Sequence, residues 1–426
     1  MKVCTTYGSD VPLRKGSEMH EIRLDVYKSI TEGAGDESLV TLCGKDPSIV
    51  PDSFNGLVDV GERDIPTKQR KIKSFHNFER TPSADEIISM LSKGDQYISK
   101  GAFKASSFTD LYSIFDASKR LECRHVLLGM GKIGEVTRIR QTLLGNEFTF
   151  GYSGTSTAPG QFSADEMEEM GDDCTLVGIT GHPLDHSKSP AMQNAAIKEA
   201  GINGKYLVFD SPDLEHIDDV IRGYNIRGLN VTIPFKQSVM DHLDKITGAA
   251  EKVGAVNTII NDNDELIGDN TDVIGIEFAL LDTTLNGKKA LILGSGGAAR
   301  AAAYTLNDSG CNVSISGRNA ATVSELCKDF GAESYRGSVG RFDIIVNCTP
   351  IGLVEGEYPA DVSDLTKGQT VFDMVYGRET PIQAIAKRKG CKIVDGADML
   401  IGQGAASFRM WFGKEPNVDV MRGALQ

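Results

Sequence analysis

Two residues in the first hundred, His76 and Lys100, and one glycine turn near residue 295 have the types and settings that chemistry needs. His76 follows the run Lys71–Phe75, and Lys100 closes the run Gln96–Lys100. Either residue alone is ordinarily structural or solvated. Together they supply a base and an amine, the two groups needed to form an imine with a ketone and to remove an adjacent proton. Farther along, Ala290–Leu293 reads as a buried strand that stops at Gly294-Ser295-Gly296-Gly297-Ala298-Ala299, after which small residues continue as a helix. Such a turn lets backbone approach a pyrophosphate, and the helix start offers unpaired N–H groups at its positive dipole end. Glycine turns also occur in other α/β units, so the flanks have to decide.

The elements that must position His76 and Lys100 are short runs at Lys2–Thr6, Glu21–Asp25, Leu39–Cys43, Leu57–Val60, Lys71–Phe75, Gln96–Lys100, His125–Leu128 and Glu147–Tyr152. Eight candidate strands predict a (β/α)8 barrel, although the segment falls short of the roughly 200 residues at the lower end of such folds. Some crossovers must be stripped: residues 61 to 70 are too few, with Pro66 among them, to hold a helix. In Glu21-Ile22-Arg23-Leu24-Asp25 the charges alternate with aliphatic residues, so period 2 puts all three on one face. A barrel's outer face must be apolar to receive helices, so these charges are expected to point inward. His76 is expected just past its strand, at the rim where barrel enzymes keep their chemistry.

This stretch resembles type I 3-dehydroquinate dehydratase. The matching pieces are Glu21–Asp25, the S-F-H-N-F-x-x-T-P run at 74–82, Lys100-Gly101-Ala102 with Ser107 and Asp110, Met130-Gly131 through Arg138, and Ala158-Pro159-Gly160-Gln161, in family order. The resemblance implies that Lys100 forms a Schiff base and His76 acts as general base and acid. Glu21, Arg23, Arg138, Thr157 and Gln161 would hold the substrate's carboxylate and hydroxyls. Lys104 rivals Lys100 by sharing its strand face, but Lys100 stands at the family's distance from Ser107 and Asp110. One departure matters. The third strand ends Val40-Thr41-Leu42-Cys43-Gly44 where the family reads T-x-R followed by E-G-G. An arginine contact and a histidine-orienting carboxylate are thus missing, with Glu62 as a conjectural substitute, and weakened or lost dehydration is an alternative.

A new pattern starts at Cys174 after the acidic stretch Phe162–Asp173. Leu176–Ile179 is a short strand, and Ser189 and Pro190 read as N-cap and first residue of a helix. His182 and His186, four apart in a proline-broken loop without a third ligand, do not make a zinc site. Gly228–Lys236 reads as a strand ended by Pro234, and Ala255–Asp269 as a hairpin turning at Asn261–Asp264. This half resembles shikimate dehydrogenase through H-S-K-S-P at 186–190, N-V-T-I-P-F-K at 230–236, A-V-N-T at 255–258, N-T-D at 270–272, Asp373–Tyr376 and Met399–Gln403. The resemblance implies that Ser187, Ser189, Asn230, Thr232, Asn257, Asp272, Tyr376 and Gln403 ring the substrate, with Lys236 and Asp272 as the acid/base pair. Reducing a ketone needs a proton for the developing alkoxide, which a lysine hydrogen-bonded to a carboxylate can relay.

The choice of cofactor follows from the strand Asn312–Ser316. NAD-preferring folds commonly end this strand on an acid, whereas here it runs into Ser316-Gly317-Arg318-Asn319, which suits a 2′-phosphate. The expected cofactor is therefore NADP, held by Gly294, Ser295, Gly296, Gly297, Ala298, Ala299, Ser316 and Arg318, with Asn347 and Thr349 on the nicotinamide side. No metal is expected.

At 426 residues the chain is too long for one ordinary domain. The expected architecture is α/β: a compact (β/α)8 barrel over 1–170, a substrate-binding domain over 174–274 to which 399–426 return, and a Rossmann-like NADP-binding domain over 275–398. A net charge of −14 argues against nucleic acid or an anionic membrane as partner. Eight cysteines without a C-x-x-C pair, no apolar leader and no run of 18 apolar residues predict a cytoplasmic enzyme without a targeting segment. The expected function is bifunctional: 3-dehydroquinate to 3-dehydroshikimate in the barrel, then NADPH-dependent reduction to shikimate. The competing readings are an NAD-dependent quinate or shikimate oxidation, and a barrel kept as a scaffold; a homodimer is compatible with either.

Overall fold

The computed structural model describes residues 1–9, 12–27, 36–156, 158 and 160–425. They form two compact units, one of Met1–Leu184 with Asn203–Ile226, the other of Asp185–Ile202 with Arg227–Gln426.

The first unit opens with strands β1 (Val3–Tyr7), β2 (Met19–Arg23), β3 (Leu39–Thr41), β4 (Leu57–Asp59), β5 (Arg70–Asn77), β6 (Ile98–Lys104), β7 (His125–Met130) and β8 (Thr149–Ser153). Each pairs in parallel with its successor through β7, and β8 joins β1 on the other side. The ring is nearly closed by one parallel bridge, His125 to Asn146. There the Asn146 amide stands in for backbone pairing: its Oδ1 accepts from Leu127 N at 2.7 Å and its Nδ2 donates to Leu127 O at 2.9 Å.

Period 2 then builds the interior in layers. Cys4, Met19, Leu39, Leu57, Ile72 and Ile98 form an apolar floor with Val126, Phe148 and Phe150. Two residues on along the same strands come Thr6, Glu21, Thr41, Asp59, Ser74 and Lys100, a polar layer directly above it. Glu21 and Arg23 belong to this inner face as expected, whereas Asp25 lies beyond β2. His76 is also placed differently from the expectation: β5 continues to Asn77, so the histidine is inside the strand.

Helices α1 (Ala84–Leu91), α2 (Phe108–Arg120), α3 (Glu135–Ile139) and α4 (Ala164–Met170) follow β5 to β8, and among the described residues no α-helix lies between β1 and β5. Leu24, Tyr27 and Val50 cover Tyr7, Ile22, Val40 and Val58 there, so loop residues bury the outer face in place of crossover helices. The acidic stretch after the barrel is α4, capped by a reciprocal Ser163–Glu166 box.

The chain continues through β9 (Thr175–Gly181), α5 (Ser189–Glu199), β10 (Gly204–Asp210), α6 (Ile217–Gly223), β11 (Ile226–Val231), β12 (Lys245–Ile246), α7 (Gly248–Val253), β13 (Thr258–Asp262), β14 (Glu265–Asp269) and α8 (Asp272–Ala279). Within the first unit, β9 and β10 pair in parallel, and α6 packs on α2. Phe108 stacks on Phe209, Tyr112 on His216 at 4.0 Å, and Tyr224 Oη donates to Leu111 O. Buried Arg140 donates to Tyr224 O and Asn225 O, carbonyls just past α6 where the helix dipole is negative, and to Asp172 O after α4.

In the second unit β13 and β14 form the expected hairpin, and Asn263 and Asp264 turn it with positive φ of 54° and 70°, the pattern of a type I′ turn. Ser189 is the first residue of α5 and not its N-cap: Lys188 takes the cap position, and Ser187 Oγ accepts from Ser189 N at 3.3 Å. The remaining elements are β15 (Lys289–Leu293), α9 (Gly297–Asp308), β16 (Asn312–Ser316), α10 (Ala320–Phe330), β17 (Glu333–Ser334), β18 (Ile344–Asn347), β19 (Thr370–Asp373), α11 (Pro381–Lys389), β20 (Lys392–Asp395), α12 (Gly396–Phe412) and α13 (Val418–Gly423). Their parallel order β17-β16-β15-β18-β19-β20 is the doubly wound one, with its switch point between β15 and β18. Helix α12 lies against α8 at a crossing made by two glycines. A Cβ on Gly275 would meet Met399 O at 2.6 Å, and one on Gly402 would meet Phe278 Cβ at 2.7 Å.

Candidate active sites

In the barrel, the Lys100 ammonium lies 3.5 Å from Asp59 Oδ2 and over the Phe150 ring, 4.4 Å from its centroid. Its side chain is only 8% exposed, whereas Lys104 is exposed at the end of β6, which separates the two rivals. In the β5–β6 register Ser74 lies beside Lys100 and His76 beside Ala102, so His76 is one inward step nearer the mouth. Its ring stacks on exposed Phe78 and keeps a face open to solvent. Desolvation, then the Lys100 charge, lower its pKa from 6.5 to about 4, opposed by Asp59 and Glu21. With one face open, the direction is what matters: the imidazole is a neutral base at pH 7.

Glu21 is buried and accepts from Thr6 Oγ1 and Thr41 Oγ1, both at 2.7 Å. Arg23 forks onto Asp25, with Nε–Oδ1 at 3.1 Å and Nη2–Oδ2 at 2.8 Å, and this pair draws the Asp25 pKa down to about 2. Cys43 Sγ donates to the same carboxylate, so Asp25 occupies the surroundings of the residue that replaced the expected arginine. Arg138 on α3 is 3% exposed, and its Nε is buried without a hydrogen-bond partner, an arrangement that an anionic group would complete. Desolvation accordingly lowers its pKa, to about 10. Gln161 is half-buried; Thr157 lies outside the described residues. Glu62 is exposed. The carboxylate that sequence reading missed is Asp59, whose signal was a charged residue at an inward position of the apolar run Leu57–Val60.

In the second unit Lys236 Nζ contacts Asp272 Oδ2 at 2.5 Å, and Asp272 Oδ1 accepts from Asn257 Nδ2 at 2.8 Å. The Asn257 amide has one allowed orientation. Its Oδ1 accepts from Thr271 N at 2.7 Å and sits 3.1 Å from the hydroxyls of Thr271 and Thr258, so its NH2 must face Asp272. Asn230 Nδ2 donates inward to Ser407 Oγ at 2.9 Å, and Ser407 Oγ also lies 2.9 Å from Thr258 Oγ1 and 3.1 Å from Thr271 Oγ1. Fully buried Ser407 is thus a hub joining α12 to β11, β13 and the start of α8. Ser407 was not singled out from sequence, and Thr258 and Thr271 entered only as members of the A-V-N-T and N-T-D runs; a lone hydroxyl on the apolar α12 was the available signal for Ser407.

Other expected residues are arranged less tightly. Gln403 is 8% exposed on α12, with Cβ 3.0 Å from where a side chain on Gly275 would begin. The Tyr376 hydroxyl accepts from the Lys188 backbone N–H, between Ser187, which is half-buried, and Ser189, which is buried. Thr232 is half-buried and its hydroxyl makes no bond to the Lys236–Asp272 pair.

The glycine turn lies against that pair: a Cβ on Gly297 would fall 3.1 Å from Lys236 Cβ and Cδ. Gly294 has φ +123°, and its backbone packs on Cys348, where a Cβ would meet the carbonyl oxygen at 3.1 Å. Gly296 caps α9 with no side-chain hydrogen bond and has open space where its Cβ would be, leaving the first N–H groups of the helix for an anion. Ala298 and Ala299 follow in the first turn. Ser295 Oγ bonds Thr322 Oγ1 at 2.8 Å, and Arg318 is exposed at the end of β16 with no ion pair among the described residues. These groups fit a dinucleotide with a 2′-phosphate. Three expected contacts are engaged elsewhere. Ser316 Oγ donates to Pro359 O, fully buried Asn347 donates to Asp373, and Thr349 Oγ1 donates to Asn347 Oδ1. Among the described residues no group of three or more His, Cys, Asp or Glu is placed to hold a metal ion.

Replacing Ser407 with alanine removes its 2.9 Å contact with Asn230 Nδ2, leaving Thr258 Oγ1 at 3.2 Å and Asn257 O at 3.4 Å, and loosens both asparagines. One lost buried hydrogen bond costs about 0.5–1.5 kcal/mol, and the expected result is a kcat for ketone reduction lowered by up to roughly tenfold with dinucleotide affinity unchanged. Steady-state kinetics and a dinucleotide titration check it; an unchanged kcat would show that the hub does not hold the pair.

Comparison with known proteins shows what each stretch of the chain is similar to. Residues 59–172 match the family model for type I 3-dehydroquinase, 179–259 that for the shikimate dehydrogenase substrate binding domain, and 396–426 that for the shikimate 5′-dehydrogenase C-terminal domain. Residues 284–403 match the NADPH-binding domain of acetohydroxy acid isomeroreductase. A shikimate dehydrogenase (NADP(+)) of Archaeoglobus fulgidus is 43% identical over 267 residues, covering 58% of this chain and 96% of that protein. Among solved structures, a shikimate dehydrogenase in complex with NADP+ is 37% identical with a TM-score of 0.56, over 59% of this chain and 94% of that one. The Thermus thermophilus shikimate 5-dehydrogenase in complex with NADP(H) and shikimate is 33% identical with a TM-score of 0.55, over 59% and 98%. The chain belongs to the shikimate dehydrogenase family, and its barrel carries type I 3-dehydroquinase sequence ahead of that portion.

Proposed function

We propose that this protein dehydrates 3-dehydroquinate to 3-dehydroshikimate in its barrel and reduces 3-dehydroshikimate to shikimate with NADPH in its second half. The observation that carries this is the pairing of two lysine sites, each of the chemistry its family requires. Lys100 is a buried amine beside a carboxylate, and Lys236 is a charge-paired amine against a dinucleotide turn.

In the barrel, Lys100 forms an imine with the substrate ketone, which makes the adjacent C–H acidic. Neutral His76, one step nearer the mouth, removes that proton and returns it to the leaving hydroxyl. Arg138 receives the carboxylate, while Glu21, Arg23, Thr157 and Gln161 hold hydroxyls.

For the reduction, NADPH supplies the hydride when bound, its phosphates on the 294–299 turn and its 2′-phosphate on Arg318. Ser316, Asn347 and Thr349 shape the adjoining strand ends. Lys236 meets the charge growing on the ketone oxygen, and Asp272 holds the ammonium there and shares its proton. Asn230, Thr232, Asn257, Ser187, Ser189, Tyr376 and Gln403 position the ring hydroxyls and carboxylate. The functional boundaries in this reading are 1–170, 174–274 with 399–426, and 275–398. A cytoplasmic location belongs to the same reading, supported by eight free thiols, and no helix among the described residues is long and apolar enough to cross a membrane.

Supplying 3-dehydroquinate and NADPH to the intact chain should yield shikimate, and Lys236→Ala should abolish the reduction while 3-dehydroshikimate still accumulates. Strong preference for NADH, or no dehydration at all, would instead support the NAD-dependent or scaffold readings. Arg318→Ala should lower kcat/KM for NADPH roughly ten- to hundredfold, the ~1.5–3 kcal/mol of a charge-assisted hydrogen bond, with NADH little changed. His76 works as the neutral base, and its lowered pKa keeps it neutral through the usual histidine range. The acid limb of kcat/KM for dehydration should therefore lie well below pH 6.5 and disappear in His76→Ala; a limb at 6.5 would contradict it.

A further inference from the structure

The carboxylate beside Lys100 is Asp59, the last residue of β4, and it is held as few surface carboxylates are. Its Oδ1 accepts from Ser74 Oγ at 2.6 Å and from Gly61 N at 2.9 Å. Its Oδ2 is buried, has no hydrogen-bond partner, and stands 3.5 Å from Lys100 Nζ. One oxygen is anchored and the other is aimed at the amine. A buried carboxylate oxygen without a donor is costly, and such groups are kept where chemistry uses them.

The amine needs such a neighbour. It attacks a carbonyl only as the free base, and a lysine in water is overwhelmingly protonated at pH 7. The other groups facing Lys100 are poorly suited to take its proton. Both Glu21 oxygens already accept threonine hydroxyls, Phe150 offers a ring face, and His76 lies a step nearer the mouth, where the substrate proton has to be removed.

Resting on the dehydratase reading of the barrel, we propose that Asp59 takes the proton that frees Lys100 for attack and then serves as counter-ion to the iminium. Asp59 accepts one proton from the ammonium, and the nitrogen lone pair forms the N–C bond while the C=O π pair moves to oxygen. The second nitrogen proton and the one on Asp59 pass to that oxygen, the C–O bond breaks, and water leaves. In sum, the lysine ammonium and the ketone give a protonated imine and one water, balanced in atoms and in charge. Asp59 ends ionised opposite the cation, where it stabilises the electron sink.

The test traps the imine on the full-length chain with 3-dehydroshikimate and borohydride, following the mass of the Lys100 peptide over time. At pH 7, Asp59→Asn should be labelled about a hundredfold more slowly, within the usual worth of a general base. Its rate should recover as pH rises and solvent base replaces the missing carboxylate, while His76→Ala should be labelled normally but fail to dehydrate. Ser74→Ala, which frees Oδ1, should give a smaller loss than Asp59→Asn. An Asp59→Asn variant labelled as fast as wild type overturns the proposal. So does one that stays unlabelled at every pH, because a group needed only to accept a proton is dispensable once the solvent can accept it. Labelling that slows in His76→Ala and not in Asp59→Asn assigns the proton to the histidine and also overturns it. A wild-type chain that is never labelled at Lys100 refutes the dehydratase reading itself.

Discussion

An ammonium withdrawn from water has to be met by a carboxylate, and each site in this protein is built around one such pair. Desolvating a charge costs several kcal/mol even after relaxation. Lys100 recovers it from Asp59 and the Phe150 face, Lys236 from Asp272 at 2.5 Å. In both pairs the second carboxylate oxygen is tied to neutral donors, Ser74 and Gly61 in one case and Asn257 in the other. That arrangement fixes the carboxylate without neutralising it. The lysine remains the member free to move toward a ketone.

The two folds deliver these pairs by different means. In the barrel, parallel strands carry an apolar floor and a polar layer two residues above it, so groups distant in sequence share one level. In the second unit no single layer exists. Lys236 follows β11, Asp272 opens α8, and the glycine turn ends β15, so the arrangement depends on close backbone approach. Gly297 leaves room for the lysine stem, and Gly275 and Gly402 let α12 reach α8. A methyl group at Gly275 or Gly402 would push α8 and α12 apart, and one at Gly297 would displace the lysine stem.

Around Asp272 the order extends beyond the pair. Asn257 can face the carboxylate with its NH2 only because Thr271 and Thr258 occupy its oxygen, and those hydroxyls are held in turn by Ser407. Buried hydroxyls with few alternatives rigidify what they touch. The Arg318 end is built the opposite way, exposed and without an ion pair among the described residues, as suits a group that meets a ligand charge.

The eight barrel strands, the glycine turn, the hairpin and the two candidate lysines, Lys100 and Lys236, were legible in the sequence, because these rest on local periodicity and on motifs a few residues long. The preference of Lys100 over Lys104 was also legible, from spacing to Ser107 and Asp110. What only tertiary structure decided is which neighbours those residues have. Asp59 was passed over because period 2 marks it as inward-facing but does not say what it faces; its partner Lys100 stands two strands further along the barrel. Ser407 was passed over because one hydroxyl on an apolar helix carries no local signal, and its three partners come from 136 to 177 residues earlier in the chain. Ser316 and Asn347 show the converse, since strand ends near a cofactor turn look available until their side chains are seen to bond Pro359 and Asp373. Burial, and the need to satisfy every buried polar atom, are properties of the packed chain, and no pattern read along the sequence contains them.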